Sequence, residues 1–171
     1  DKPQQIWTQG ETEFSSCWFP TIDKPNERMT QNIAITVQDK YTTLSNGLLI
    51  KSKQNKDGTR TDFWEQSLAH APYLAMIAVG EFNITTDKWR GIDVEYYLED
   101  NFHKHARGIF GRTPEMMDHY SKILGVDYPW QKYAQIVVRD FVSGAMENTT
   151  AVIHGAVSYT HLTLPTIGYV E

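Results

Sequence analysis

The sequence predicts a mainly β fold with an α+β tail: an antiparallel β domain to about residue 100, then a helix and strands that open a second unit. Three observations carry this reading. Apolar and polar residues alternate through Asn32–Gln38 and again through Ile92, Val94, Tyr96 and Leu98, the period of a half-buried strand. Asn46-Gly47 and Asp57-Gly58 sit between such runs, and both positions of each pair accept the positive φ that a tight hairpin turn requires. After Leu98 the pattern changes: Thr113-Pro114-Glu115 opens a stretch of helical period that stops at Gly125.

Taken in order, Ile6-Trp7-Thr8 reads as a short strand, and Gly10 allows a turn that presents Gln9 and Glu11 at its end. Pro20, Asp23 and Pro25 mark a loop. Asn32–Gln38 is a strand, and Tyr41–Leu44 pairs with Leu48–Ile50 across Asn46-Gly47 as a hairpin. Asp57-Gly58 repeats the device before Arg60–Glu65, and Tyr73–Val79 is an apolar run ended by Gly80, giving about seven strands before residue 100. Asn101–Phe110 is compatible with helix. In the next helix Thr113 is the expected N-cap, Pro114 suits the first turn, Glu115 favours the dipole, and Met116, Tyr120, Ile123 and Leu124 share one face. Tyr128-Pro129-Trp130 then turns the chain into the strand Tyr133–Val138.

Composition narrows the function classes. The 171 residues are 40% apolar and 12% aromatic, enough to bury a core, and the net charge of −5 leaves no polybasic footprint for nucleic acid. No stretch approaches the ~20 apolar residues of a membrane span, and Asp1–Gln5 carries neither the cationic start nor the apolar core of a signal peptide. The single cysteine, Cys17, excludes an internal disulfide and a thiolate cluster and reads as a small buried apolar residue.

The stretch that carries chemistry follows Ile136-Val137-Val138. In Val142–Thr150, Gly144 and Ala145 add little side chain to the continuing strand, which leaves backbone groups open to an incoming peptide. Glu147 stands beside that edge, and a carboxylate there can hold an ammonium group such as a peptide N-terminus. The sequence has no His-Glu-x-x-His pattern, nucleophile elbow, phosphate loop or paired-cysteine motif. His103 and His105, two apart on a short helical stretch, point in different directions and read as surface residues.

Gly144-Ala145-Met146-Glu147-Asn148, together with Thr8-Gln9-Gly10-Glu11, Trp18-Phe19-Pro20 and Asp23-Lys24-Pro25 far upstream, resembles the zinc metallo-aminopeptidases of the aminopeptidase N type, the gluzincins. The resemblance runs from Trp7 to about Gly155. It implies an antiparallel β-sandwich or saddle-like N-terminal domain over 1–100, incomplete at its start, and the beginning of a thermolysin-like catalytic domain over 101–156. It further implies that Glu11 and Glu147 bind the α-ammonium of a peptide substrate, that Gln9 lies near the first side-chain pocket, that Gly144 and Ala145 contact the peptide backbone, that Met146 lines the first pocket, and that Asn148 belongs to the same substrate-binding set. Two glutamates drawn together repel, and an ammonium between them relieves that repulsion.

Zinc is the implied cofactor, held by a His-Glu-x-x-His helix that this chain does not contain, so the chain alone is expected to be inactive. Its implied partners are a peptide with a free N-terminus and the remaining catalytic domain of the same polypeptide. Some relatives also act on epoxides, which stays open here. An exported, periplasmic or envelope location suits a peptide-scavenging enzyme, and no residue fixes the compartment. Residues 157–171 depart from the family pattern and resemble translated sequencing-adapter read-through. The alternative reading is a non-catalytic β-rich binding or adaptor module.

Overall fold

The structure, a computed structural model, describes residues 3–156; the anomalous tail at 157–171 lies outside them. Its strands are β1 (Ile6–Trp7), β2 (Met29–Gln38), β3 (Thr42–Ser45), β4 (Leu48–Gln54), β5 (Thr59–His70), β6 (Ile77–Gly80), β7 (Asn83–Trp89), β8 (Ile92–Leu98), β9 (Lys132–Val138), β10 (Ala145–Met146) and β11 (Ala151–Gly155). The helices α1 (Asp100–His103), α2 (Ala106–Phe110) and α3 (Thr113–Leu124) fall between β8 and β9. Two three-stranded antiparallel sheets, in the orders β1-β6-β3 and β2-β5-β4, pack on a five-stranded mixed sheet, β10-β11-β9-β8-β7. In the mixed sheet β9 runs parallel to both β8 and β11.

The mixed sheet is buried on both faces, which explains why Ile136-Val137-Val138 is apolar without alternation. Ala134, Ile136 and Val138 of β9 face one way, joining Tyr97, Ala151 and Ile153 against Ile35, Leu44, Trp64, Met76, Ala78, Val79 and Phe82 of the smaller sheets. Val137, with Val94, Tyr96 and Leu98 of β8 and Trp89 of β7, faces the helices and packs on Ala106, Phe110 and Met117. Because β7 and β8 share this sheet with β9 to β11, the β domain expected for 1–100 and the unit expected for 101–156 meet within one sheet.

Several local expectations are corrected. Asn46-Gly47 does not close a hairpin: β3 pairs with β6 and β4 pairs with β5, so the turn carries the chain from one sheet to another. Gly47 has φ +74°, and a Cβ there would collide with the Glu65 carbonyl. Residues 73–79 are not one strand, because Pro72–Leu74 forms a 3-10 turn and β6 starts only at Ile77. Among the described residues eight strands precede residue 100, where about seven were expected. Thr113 is not an N-cap; it lies inside α3, and its hydroxyl accepts a hydrogen bond from the Gln135 side-chain amide at 2.8 Å.

Met116, Tyr120, Ile123 and Leu124 are each more than half exposed, whereas Thr113, Met117 and Ser121 are the buried residues of α3. The helix thus turns Thr113, Met117 and Ser121 inward and its larger apolar stripe outward. Cys17, expected to be buried, is exposed at the end of a single 3-10 turn.

Asp57-Gly58 closes the β4–β5 hairpin as expected, with Gly58 at φ +82° and open space where a Cβ would sit. The two turn glycines therefore separate strain from collision. Gly58→Ala is expected to cost about 1 kcal/mol for the left-handed backbone alone, and Gly47→Ala about 3 kcal/mol or more. Urea midpoints of the two variants check this; equal midpoints would show that the backbone around Gly47 relaxes freely.

Candidate functional site

The two motif segments, separated by most of the chain, dock on one short element. β1 pairs with β6, and Thr8 bonds to Ile77 in both directions: its N–H donates to the Ile77 carbonyl at 3.2 Å and its hydroxyl accepts from the Ile77 N–H at 3.1 Å. The chain then passes through buried Gly10, where a Cβ would lie 2.9 Å from the Tyr73 carbonyl oxygen, closer than real Cβ atoms approach. Ser15, fully buried, donates its hydroxyl to the Pro72 carbonyl at 3.0 Å. From the other side Asn148, 1% exposed, donates its amide to the Leu74 carbonyl at 3.3 Å. The 3-10 turn Pro72–Leu74 is the common platform.

Each expected site residue can be placed. Gln9 is half-buried and its side-chain oxygen accepts from the Glu11 N–H at 3.1 Å, which fixes the loop that presents Glu11. Glu11 and Glu147 are both exposed, as are Gly144 and Ala145. Ala145 and Met146 form β10, opposite His154 and Ile153 of β11, and the Gly144 carbonyl accepts from the Gly155 N–H at 2.9 Å. Among the described residues β10 is the last strand of its sheet, and no described strand lies on its outer edge. Met146 is 1% exposed and lies across from core residue Ile153, so its thioether is part of the packing in this structure.

Behind these residues lies a polar joint that the sequence did not announce. Asn46 is fully buried and uses every hydrogen-bonding direction of its amide. Its Nδ2 donates to the Leu74 carbonyl at 2.9 Å and the Thr149 carbonyl at 2.6 Å, and its Oδ1 accepts from the Met76 N–H at 2.7 Å and Gln31 Nε2 at 3.0 Å. The Met76 N–H can only donate, so the orientation of the Asn46 amide is fixed. That fixes Gln31 in turn, whose oxygen faces His70 Nε2 at 3.1 Å and requires the proton on that nitrogen. The Gly47 N–H donates to Thr150 Oγ1 at 2.7 Å, with Thr150 held at φ +66°, a rare backbone for a β-branched residue.

Two further polar contacts lie at the two ends of β9. Lys132, 3% exposed, donates from Nζ to the Ser45 carbonyl at 2.9 Å and lies 4.4 Å from the centre of the Trp64 ring. Glu99, 4% exposed, takes a bidentate grip from Arg139 at 2.6 and 2.5 Å and a third bond from Gln5 Nε2 at 2.7 Å, anchoring the chain before β1 to the end of β9. A cavity of about 670 Å³ is walled by Arg60, Asp62, Trp64, Tyr97 and Lys132 rather than by the motif residues. Among the described residues no three His, Cys, Asp or Glu side chains converge as a metal site. His103 is half-buried at the end of α1, and His105 is exposed in the turn just before α2.

The amino-acid sequence matches two family models, the Peptidase M1 N-terminal domain over residues 1–74 and the Peptidase family M1 domain over residues 109–162. The chain belongs to peptidase family M1. Similar M1 proteins include glutamyl aminopeptidase of Bos taurus, 32% identical over 76% of this chain and 14% of the relative. Aminopeptidase 2, mitochondrial, of Saccharomyces cerevisiae is 28% identical over 82% of this chain and 15% of its own length. Puromycin-sensitive aminopeptidase of Caenorhabditis elegans is 28% identical over 92% of this chain and 16% of its own. The chain thus spans about one-seventh of the M1 relatives it matches.

Burial sets the pH response of the M1 fold. It lowers His70 and His154 to about 4, so the unfolded chain binds more protons than the folded one between about pH 4 and 6.5, and stability is lost as pH falls through that window. Burial also lowers Lys132 to about 7, partly opposed by Glu95, so its charging cost is full below pH 7 and stability rises as pH climbs above it. Lys132→Met is expected to flatten the dependence of the urea midpoint between pH 7 and 9 and to leave the acid limb intact. An unchanged slope between pH 7 and 9 would mean that Lys132 keeps an ordinary pKa.

Proposed function

We propose that this chain is the part of a zinc-dependent aminopeptidase that reads the free N-terminus of a peptide substrate before the first residue is released. The observation that supports the reading is that the Gln9–Glu11 loop, through Gly10, and the Glu147–Asn148 segment, through Asn148, both pack on the single turn Pro72–Leu74, with both carboxylates exposed and Glu147 directly after β10. An extended peptide laid along that edge pairs its backbone with Ala145 and Met146, as an added strand does. Its α-ammonium then falls to Glu147 and Glu11, the two groups that an N-terminal amine satisfies and an internal peptide bond does not.

The names of the relatives support the substrate class, since each is an aminopeptidase. The 171 residues contain no His-Glu-x-x-His pattern. In this reading zinc and the general base belong to residues other than those described, and the chain by itself does not turn over substrate. Its own residues contribute selection and placement: Gln9 shapes the loop carrying Glu11, Gly144 and Ala145 leave room for the peptide backbone, and Asn148 secures the turn after Glu147.

In the complete enzyme, Glu147→Gln is expected to lower kcat/KM for an unblocked peptide by about 10–100-fold, the scale of a lost charge-assisted contact, and the N-acetylated peptide should be uncleaved by either form. Steady-state kinetics on the two peptides decides the matter. Unchanged kcat/KM for the unblocked peptide would remove Glu147 from the amine site.

A further inference from the structure

We infer that Asn46 and Thr150 are positioning residues for the amine site: the turn Ser45–Gly47, from the N-terminal half of the chain, sets where the Glu147 carboxylate stands. The inference rests on the proposed role of Glu147 and extends it to residues that touch no substrate.

The segment immediately after Glu147 is held from the N-terminal half at three consecutive residues. Asn148 reaches the Leu74 carbonyl, the Thr149 carbonyl accepts from Asn46 at 2.6 Å, and Thr150 Oγ1 accepts from the Gly47 N–H at 2.7 Å. All three residues are buried, with exposures of 1%, 5% and 3%, while Glu147 itself is exposed. Adjacent Cα atoms lie about 3.8 Å apart, so a displacement at Asn148 shifts the backbone of Glu147 as well.

The buried end of this device has no freedom to adapt. Asn46 satisfies two carbonyls and accepts from two donors, and no other side chain of its size offers both functions in one plane. Aspartate would set a carboxylate oxygen against the Leu74 and Thr149 carbonyls. Thr150 carries the second sign of a tuned position. Its φ of +66° costs stability at a β-branched residue, and the arrangement turns Oγ1 onto Gly47, which cannot carry a Cβ because of Glu65. The strained residue and the obligatory glycine meet at one hydrogen bond. Lys132 holds the preceding residue of the same turn through the Ser45 carbonyl, so the turn is gripped from β9 as well.

The test separates placement from folding by measuring selectivity. In the complete enzyme, inhibition constants are compared for an L-amino-acid amide and its deaminated analogue, whose ratio reports the ammonium contact and does not depend on the fraction of active protein. Thr150→Val removes the acceptor at nearly constant volume with the same β-branching, and Thr150→Ser retains the hydroxyl. The expected result is that Thr150→Val and Asn46→Asp each shrink the ratio by about tenfold, the order of one buried hydrogen bond, and that Thr150→Ser preserves it.

A loss of kcat with an unaltered ratio in Thr150→Val would show a structural role alone and overturn the inference, whether or not Asn46→Asp folds. Glu147→Gln is run in parallel. If it abolishes the ratio while Thr150→Val leaves it intact, the amine site stands and the positioning role falls. If Glu147→Gln has no effect on the ratio, the site reading itself fails and this inference with it.

Discussion

The parallel pairing of β9 with both β8 and β11 is the constraint from which the rest follows. Two parallel neighbours cannot be joined by a tight turn, so each pair demands a crossover. The longer one, residues 99–131, holds α1, α2 and α3 and covers one face of the mixed sheet with Ala106, Phe110 and Met117. The shorter one, residues 139–150, has no room for a long helix and carries the Gly144–Asn148 segment instead. Because β11 takes the inner position beside β9, β10 is left at the rim of the sheet. The open strand edge is thus a consequence of topology, and the small residues at 144 and 145 keep it accessible.

With one face given to the helices, the other must be sealed by the two smaller sheets, and that seam is where polar groups enter the interior. Burying an amide costs free energy unless its hydrogen bonds are made, and Asn46 makes four. Lys132 is the counterpart at the same turn: burial lowers its proton affinity, and one carbonyl and an aromatic face partly offset the cost of its charge. A seam built this way is directional in a sense that an apolar one is not. Leu and Ile contacts tolerate sliding by an ångström, whereas bonds of 2.6 and 2.7 Å on consecutive residues, 149 and 150, do not. Registry between the halves of the chain is therefore set by the same atoms that fix the backbone after Glu147.

How much of this was legible in the sequence depends on whether the signal was local. The alternation in β2 and β8, the Asp57-Gly58 turn and the stop at Gly125, whose φ is +67°, were all readable because the residues that decide them are neighbours in sequence. Asn46-Gly47 misled for the same reason: the dipeptide favours a tight turn whether or not the flanking strands pair, and the partners that matter lie 103 residues away in Thr149 and Thr150. The period of α3 identified an apolar stripe but not which stripe the sheet would cover. Packing chose Thr113, Met117 and Ser121, whose small or flexible side chains let the helix approach β7 closely. Gln9, Glu11 and Glu147 are proposed for the site through a motif, whereas the turn at Leu74 on which their segments pack has no sequence signature.

An exposed strand edge also invites the wrong company. Long, flat edges recruit other strands, and proteins protect them by keeping them short or charged. β10 does both, with two residues in the ladder and Glu147 directly after them. On the proposed reading, the feature that discourages a second protein from docking there is the one that admits a peptide. An internal strand arriving at this edge would bring a neutral peptide group to the carboxylate and strip its water without compensation, whereas an N-terminal strand brings an ammonium. Selection for chain ends and resistance to edge-to-edge association then come from a single charge, and that charge is effective only if its backbone does not yield, which is the mechanical role left to the buried joint behind it.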